Sequence, residues 1–232
     1  MILLLHLQAK GVTPIAVVGD TTAKIGDPSG RLTERDPMEH KTIDGNCVGL
    51  EKNIMTVFDH FRKHFYRGDY LPRLQLIRNS CWYNEQSVYR FVTTIERHFR
   101  VNKMLNKESV RQRLKSPGGM TITEFSYQMF QAYDWLQLCK LHECYIQIGG
   151  RDQMGNIEGG HDLIKRLLGE NSYGLMTPLI TTASGKKLEE LNDLIQSHNE
   201  YPEEKLCQKR LARDVTTLLH GEEGLQLALG SG

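Results

Sequence analysis

The sequence predicts an α/β protein, an open and mostly parallel sheet with helices on both faces. Two observations predict it. Short apolar runs such as Ile15-Ala16-Val17-Val18 recur with amphipathic stretches between them, and that alternation is what crossover helices between parallel strands produce. The run Tyr145-Ile146-Gln147-Ile148 passes into Gly149-Gly150 and then into a helical pattern, an order that places ligands beyond the C-terminal ends of strands. A chain of 232 residues is long enough to bury roughly 70% of its unfolded surface.

In chain order, Ile2 to Ala9 reads as a helix whose beginning would lie before Met1. Met1 to Leu7 has neither the basic start nor the small-residue cleavage site of a signal segment, and it is too short to span a membrane. Ile15 to Val18 follows Pro14 and precedes Gly19, the profile of a buried strand. The next loop holds Gly26-Asp27-Pro28-Ser29-Gly30, which has the local chemistry of a type I turn. Residues 38–65 read as a helix with Val48, Ile54, Met55, Phe58 and Phe61 inward. Leu74 to Arg78 is the next strand, with Asn79 at its end. From Arg97 to Lys115 the chain carries seven Lys or Arg against Glu108 alone; such a stripe suits either RNA phosphates or water.

The stretch from Thr121 to Asn156 organises the rest. Ser116-Pro117-Gly118-Gly119 breaks any preceding helix, and Thr121 with Glu124 forms a capping box. Ile122, Phe125, Met129, Ala132, Leu136 and Cys139 then share one helical stripe. Tyr127, Gln131 and Asp134, at i, i+4 and i+7, occupy a narrow sector nearly opposite. Polar residues usually face water, yet this sector also holds Phe130, Trp135 and Leu138 and no lysine, the mixture of a pocket wall. Beyond the strand, glycines before a helix let a ligand approach the backbone, and an acid there suits ribose hydroxyls. The helix from Ile157 to Leu168 and a strand from Leu175 to Ile180 complete this part, with Pro178 acceptable only at an edge or bulge.

Charge is nearly balanced, 29 basic residues against 28 acidic, so any nucleic-acid surface must be local. The five cysteines Cys47, Cys81, Cys139, Cys144 and Cys207 are odd in number and lack metal-ligand spacing, which points to free thiols and away from zinc. No G-x-G-x-x-G dinucleotide fingerprint is present.

Tyr127 to Asp134 (Y-Q-M-F-Q-A-Y-D) and Gln147 to Asn156 (Q-I-G-G-R-D-Q-M-G-N) resemble the tyrosine-pocket helix and adenylate loop of bacterial-type tyrosyl-tRNA synthetases. Gly19 to Arg31 (G-D-T-T-A-K-I-G-D-P-S-G-R) resembles a third segment of that family. The resemblance implies a Rossmann-like catalytic fold in which Asp27, Tyr127 and Gln131 hold the tyrosine ammonium and Asp134 accepts from its phenol, with Asn79 supporting that pocket. By the same match Asp152 holds the adenylate ribose, while Thr22, Gln147, Gly150 and Gln153 line that site. Arg31, Arg35 and Lys187 fall where the family stabilises phosphates. Arg151 stands where a serine is expected, and Met154 where tryptophan is common.

The pattern also breaks. The family's H-x-G-H segment would precede Met1, and Ser184-Gly185-Lys186-Lys187-Leu188 begins a mobile lysine loop that continues with Glu189-Glu190-Leu191 instead of Gly-Lys-Ser. From Glu189 on, the chain resembles the late part of the family's helical anticodon-binding region. The expected organisation is therefore an incomplete catalytic domain over residues 1–188 and a helical remnant over 189–232. The resemblance implies two alternative functions. One is a tyrosine–tRNA ligase using ATP and Mg2+, with tyrosine and tRNA(Tyr) as partners, dimeric with a second copy of itself and not attached to a membrane. The other is an inactive form that binds tyrosine or nucleotide, or pairs with a complete subunit. The Ser116-to-Gly119 insertion resembles mitochondrial members, which implies the mitochondrial matrix.

Overall fold

The structure, a computed structural model, describes residues 1–29, 33, 36, 38–177 and 205–230. It is mixed α/β and falls into two compact units. The first comprises Met1–Val18, Gly45–Ile77 and the chain from Thr181 on. It contains α1 (Ile2–Ala9), β1 (Ile15–Val18), most of α2 (His40–His60), β2 (Gln75–Arg78) and α9 (Leu206–Gly230). β1 and β2 are neighbours in a two-stranded sheet. Leu5, Val57 and Phe58 form its buried core, with Leu4, Ile54, Phe61, Leu74 and Leu218 packed around them. Gln8 ties α1 down by donating to the Pro72 carbonyl at 2.7 Å. The α9 helix turns at Gly221, whose φ of +73° is a conformation that glycine adopts without a Cβ penalty.

The inward face of α2 is rotated from the one its sequence suggests. Ile43, Cys47, Val57 and Phe58 are buried, whereas Val48 and Met55 are exposed. The buried set keeps a helical spacing, and periodicity alone leaves such a neighbouring stripe open.

The second unit comprises Gly19–Asp44 and Arg78–Ile180. Four short helices, α3 (Ser80–Tyr83), α4 (Val88–Thr94), α5 (Val101–Leu105) and α6 (Glu108–Leu114), lead to the long α7 (Ile122–His142). β3 (Ile146–Gly150), α8 (Met154–Leu168) and β4 (Tyr173–Thr177) come next. β3 and β4 pair in parallel, from Ile146 opposite Tyr173 to Gly150 opposite Thr177. The strand expected at Leu175 thus begins two residues earlier, at Tyr173, and is described through Thr177; its expected part from Pro178 to Ile180 lies outside the described residues.

The α8 helix packs on α7 and on both strands, and glycines make the approach possible. A Cβ on Gly160 would stand 2.6 Å from Trp135 Cε3, and one on Gly174 would stand 2.5 Å from Ile157 Cγ2. Trp135 is fully buried and gives its indole N–H to the Cys144 carbonyl at 3.1 Å, so it has no room to yield. Gly160→Ala is expected to destabilise the chain by about 1–3 kcal/mol, the usual range for overpacking a tight core, read as a lower urea midpoint at constant slope.

The start of α7 is fixed by charge as well as by its cap. The Thr121 hydroxyl accepts from Glu124 N at 3.2 Å, and Glu124 Oε2 accepts from Thr121 N at 3.3 Å. Both Glu124 oxygens lie 3.0 Å from Arg113 Nη2, and Arg113 also donates to Ser116 Oγ and the Gly119 carbonyl. One guanidinium thus staples α6 and the intervening turn to the helix start. The pair is desolvated, Arg113 being 2% exposed. Removing one partner strands a buried charge and costs about 3–5 kcal/mol, while replacing both with apolar residues costs far less. Arg113→Met is therefore expected to unfold at much lower urea than Arg113→Met combined with Glu124→Leu; equal losses would show that the charges are not coupled.

Candidate active site

Asp134 is the centre of the site. It is 9% exposed, which overturns the solvated alternative for the sector of α7 that carries it. That helix is enclosed on both sides from Ala132 to Cys139, with Gln137 the least covered. Asp134 Oδ1 accepts from Trp82 Nε1 at 2.8 Å, and Oδ2 accepts from Asn79 Nδ2 at 3.1 Å. Desolvation pushes its carboxyl up from 3.8 to about 6, a rise that Asn79, Trp82 and Tyr83 hold down and Asp20 adds to. The same environment raises the Tyr83 phenol, chiefly by desolvation and then by the charge of Asp134.

Asn79, fully buried, ties this carboxylate to the loop after β1. Its Nδ2 also reaches Thr22 Oγ1 at 3.0 Å, and its Oδ1 accepts from Thr21 N at 2.9 Å. Every polar atom of its amide is therefore engaged with protein, and Asn79 meets a ligand only through Asp134 and Thr22. Asp20 braces the same junction by accepting from Thr21 N at 3.0 Å and Ser80 N at 2.9 Å. Gly19 permits the turn: a Cβ there would stand 2.4 Å from Thr22 Oγ1.

A second group forms around Asp27. Its Oδ1 accepts from Ser29 N at 2.9 Å, closing the expected turn, and its Oδ2 accepts from Gln153 Nε2 at 2.8 Å. Gln153 also donates to Asp152 Oδ2 at 2.9 Å and accepts from Asn156 at 3.3 Å. A 3-10 turn over Arg151–Gln153 thus hangs the loop after β3 on the loop after β1, with Asp152 exposed. Gln131 Nε2 and Gln147 Oε1 meet at 3.5 Å, linking α7 to β3, and Tyr127 stands half-buried one turn before Gln131. Gly150 ends β3 opposite Thr177.

The structure therefore joins Thr22, Asn79 and Asp134 in one network, Asp27, Asp152 and Gln153 in another, and Gln131 with Gln147 in a third. Arg31, Arg35 and Lys187, and the junction of Leu188 with Glu189, lie outside the described residues. Asp20, Trp82, Ser29 and Asn156 contribute without having been singled out in sequence. Trp82 had a signal: a buried indole N–H needs an acceptor, and Asp134 was the acid lacking a cation in its sector.

The basic stripe is only partly available to a partner. Arg113 is consumed by Glu124, Lys103 pairs with Asp162 at 3.8 Å, and the Lys107 ammonium bonds the Gly155 carbonyl. Burial lowers the Lys107 amine to about 8 against the pull of Glu158 and Asp162. Lys103, Lys107, Glu158 and Asp162 border a cleft of about 700 Å³ that also takes in Arg100, Arg151 and Arg166.

The buried acid on the long helix is tied through Asn79 to Thr22 in the loop after β1, and the Gly-Asp-Pro turn of that loop is tied through Gln153 to the glycine loop at the end of a parallel strand, an arrangement that suits the catalytic domain of a class I aminoacyl-tRNA synthetase. The family described as tRNA synthetases class I (W and Y) matches residues 1–189, and the chain belongs to it, as a member of the tyrosine–tRNA ligase family. The mitochondrial tyrosine–tRNA ligase of Drosophila melanogaster is 36% identical over 274 aligned positions, covering 97% of this chain and 59% of that protein. The tyrosine–tRNA ligase of Desulfosudis oleivorans is 41% identical over 185 positions, covering 80% of this chain and 41% of the relative. The crystal structure of a C-terminally truncated mitochondrial tyrosyl-tRNA synthetase from Coccidioides posadasii superposes with a TM-score of 0.83 at 27% identity, covering 99% of this chain and 77% of that one. The chain spans well under two thirds of the length of these two curated relatives. The 274 positions of the Drosophila alignment exceed the 232 residues here, so that protein carries internal segments without a counterpart in this chain.

Because the folded Asp134 binds its proton more tightly than the unfolded chain does, its stabilising contribution is complete below about pH 4 and is lost as pH rises through about 6. Asp134→Asn removes this titration. The unfolding free energy of the wild type relative to Asp134→Asn is expected to fall between about pH 4 and about pH 6; a difference independent of pH would show an ordinary carboxylate.

Proposed function

We propose that the chain is a tyrosine–tRNA ligase of mitochondrial translation, activating tyrosine with ATP and transferring it to tRNA(Tyr). The observation that carries this reading is the buried, hydrogen-bonded Asp134, an acceptor in an otherwise enclosed wall. Asp134 accepts a hydrogen bond from the phenol, and Tyr127, Gln131 and Asp27 hold the ammonium, which leaves the tyrosine carboxylate toward the β3 loop. Asp152 accepts from the ribose hydroxyls, with Thr22, Gln147, Gly150 and Gln153 around the adenylate. A carboxylate oxygen bonds to the α-phosphorus as the bond to the β-phosphate oxygen breaks and pyrophosphate leaves. A tRNA ribose hydroxyl then attacks the adenylate carbonyl and AMP departs. Arg31, Arg35 and Lys187 supply the positive charge that this phosphate chemistry requires.

Magnesium enters such reactions on the phosphates of ATP. Among the described residues no group of three acidic, His or Cys side chains is placed to hold a metal. No helix among those residues is long and apolar enough to cross a membrane. The mitochondrial names of similar proteins support the matrix, with bacterial enzymes comparably similar; fractionation that finds the gene product only in cytosol would remove this assignment. The chain pairs with a second copy of itself, as the family resemblance implies, and sedimentation velocity tests that directly.

A second reading is favoured by one observation: Glu189-Glu190-Leu191 stands where the lysine loop should end. Losing a preorganised donor to a transition-state charge costs roughly 10²–10³ in rate, so this form would bind tyrosine and nucleotide with little turnover. Pyrophosphate exchange separates the two readings, since tyrosine-dependent exchange well above the blank establishes the ligase. Both readings expect tyrosine to bind at least roughly tenfold tighter than phenylalanine, which would leave a buried acceptor unmet. Asp134→Asn should erase most of that preference in calorimetry; a preference retained in full would remove Asp134 from selection.

A further inference from the structure

We propose that Lys107 is an acylation site: its amine takes an acyl group from an acyl phosphate, whose phosphate is seated by arginines of the same cleft. This goes beyond the ligase reading and does not depend on it.

Lys107 is the N-cap of α6 and stands half-buried in the wall of the cleft of about 700 Å³. Its stem is clamped against α8 at two glycines. A Cβ on Gly155 would stand 3.2 Å from Lys107 Cδ, and one on Gly159 would stand 3.2 Å from Nζ. The nitrogen donates to the Gly155 carbonyl, so in the unprotonated amine the lone pair is directed away from that oxygen. Arg100, Arg151 and Arg166 border the same cleft, and among the described residues none of the three is held in an ion pair. Their planar guanidinium groups are suited to taking phosphate oxygens in pairs. A nucleophile on a fixed stem and a seat for phosphate therefore share one cavity.

The charges around the amine decide whether it reacts. His98, Arg100 and Lys103 face the cleft from the turn and α5 before Lys107, and Arg151 and Arg166 from the β3 loop and α8. The acids are Glu108, Asp152, Glu158 and Asp162. Burial outweighs the pull of Glu158 and Asp162 and brings the amine down to about 8. Half of it is then unprotonated at pH 8, against roughly 0.4% of an ordinary lysine at ~10.4. With a Brønsted exponent of the size found for thiolates, ~0.4–0.5, the lower basicity offsets about tenfold of that gain. Lys107 is left roughly tenfold ahead.

The step balances without an oxidant. The Lys107 nitrogen forms a C–N bond to the acyl carbon, the C–O bond to the phosphate breaks with its electron pair going to the phosphate, and one amine proton passes to water. Free acyl phosphates and an aminoacyl adenylate share this mixed anhydride. The product is an uncharged amide, so the cleft loses a cation.

The test incubates the full chain with deuterated acetyl phosphate and follows each lysine by peptide mass spectrometry. At pH 8, Lys107 is expected to be acetylated roughly tenfold faster than Lys41 and Lys52, which are exposed on α2; a rate no greater than theirs overturns the inference. The Lys107 rate should level off above about pH 9, and a rate still climbing at pH 10 overturns it too. Glu158→Gln removes an acid that holds the proton, so it should lower the pH midpoint and speed the reaction at pH 7. A loosened cleft would move the midpoint the other way, toward the ordinary lysine value. Arg166→Gln should slow acetylation by acetyl phosphate roughly two- to fivefold and leave acetylation by uncharged p-nitrophenyl acetate unchanged; an unslowed reaction with acetyl phosphate would show that no phosphate is seated. A parallel incubation with ATP, magnesium and tyrosine distinguishes the sources. A tyrosyl adduct on Lys107 assigns the chain's own adenylate, and its absence beside a fast acetyl reaction assigns free acyl phosphates, so failure of the ligase reading leaves the acetyl phosphate result standing.

Discussion

Taking one carboxylate out of water sets most of the constraints on the second unit. An unpaired buried charge is costly enough that a side chain neutralises or the structure rearranges. Asp134 avoids both extremes because donors arrive from separate parts of the chain, Trp82 from α3 and Asn79 from the end of β2. Asn79 in turn holds Thr21 and Thr22, and Asp20 holds Ser80. Four segments thus converge on a single group, so the loop after β1 cannot move independently of α7. The residue expected to select a side chain and the residue expected beside the nucleotide share one buried amide.

The α7 helix is the beam on which the site is hung, and its position is fixed at the N-terminal end by Arg113. Two functions are combined at Glu124: it completes the capping box and neutralises the guanidinium of Arg113, which itself anchors the turn over Ser116–Gly119. From that fixed start, Tyr127, Gln131 and Asp134 are spread over two turns, about 10 Å of helix axis. The far end is held by Trp135 against Gly160 and the Cys144 carbonyl. A helix pinned at both ends presents its polar sector with little rotational freedom, which is what a selective pocket requires.

The functional consequence lies in the meeting of two loops. Asp27 and Gln153 bond between the loop after β1 and the loop after β3, so the turn that resembles an ammonium site and the loop that resembles an adenylate site form one surface. Family membership agrees with this arrangement, and the relatives show that the catalytic frame occurs in longer proteins with additional internal segments. The basic stripe, by contrast, is thinner than its composition suggests: Arg113 is structural, and Lys107 is turned into the Gly155 carbonyl. A count of charges cannot separate a cation that meets solvent from one that closes a helix cap.

The sequence by itself determined the α/β class, the Thr121 cap with Glu124, the turn at Asp27-Pro28-Ser29 and the family, because these depend on local spacing and on residue types whose partners lie a few positions away. It also placed Asp134, Gln131 and Tyr127 on one sector of one helix, since a helix converts sequence spacing into angle. Only the tertiary structure decided that Asp134 in this sector is buried while Tyr127 and Gln131 are half-buried, that Asn79 gives its whole amide to the protein, and that Trp82 and Asp20 belong to the site. It also decided that Ile122, on the expected inward stripe of α7, is 78% exposed while Trp135 and Leu138 on the opposite side are buried. The reason is physical: periodicity fixes which residues share a face, but burial and pairing depend on segments more than 50 residues away in the chain, as Asp134 and Asn79 are, and long-range contact leaves no local spacing to read.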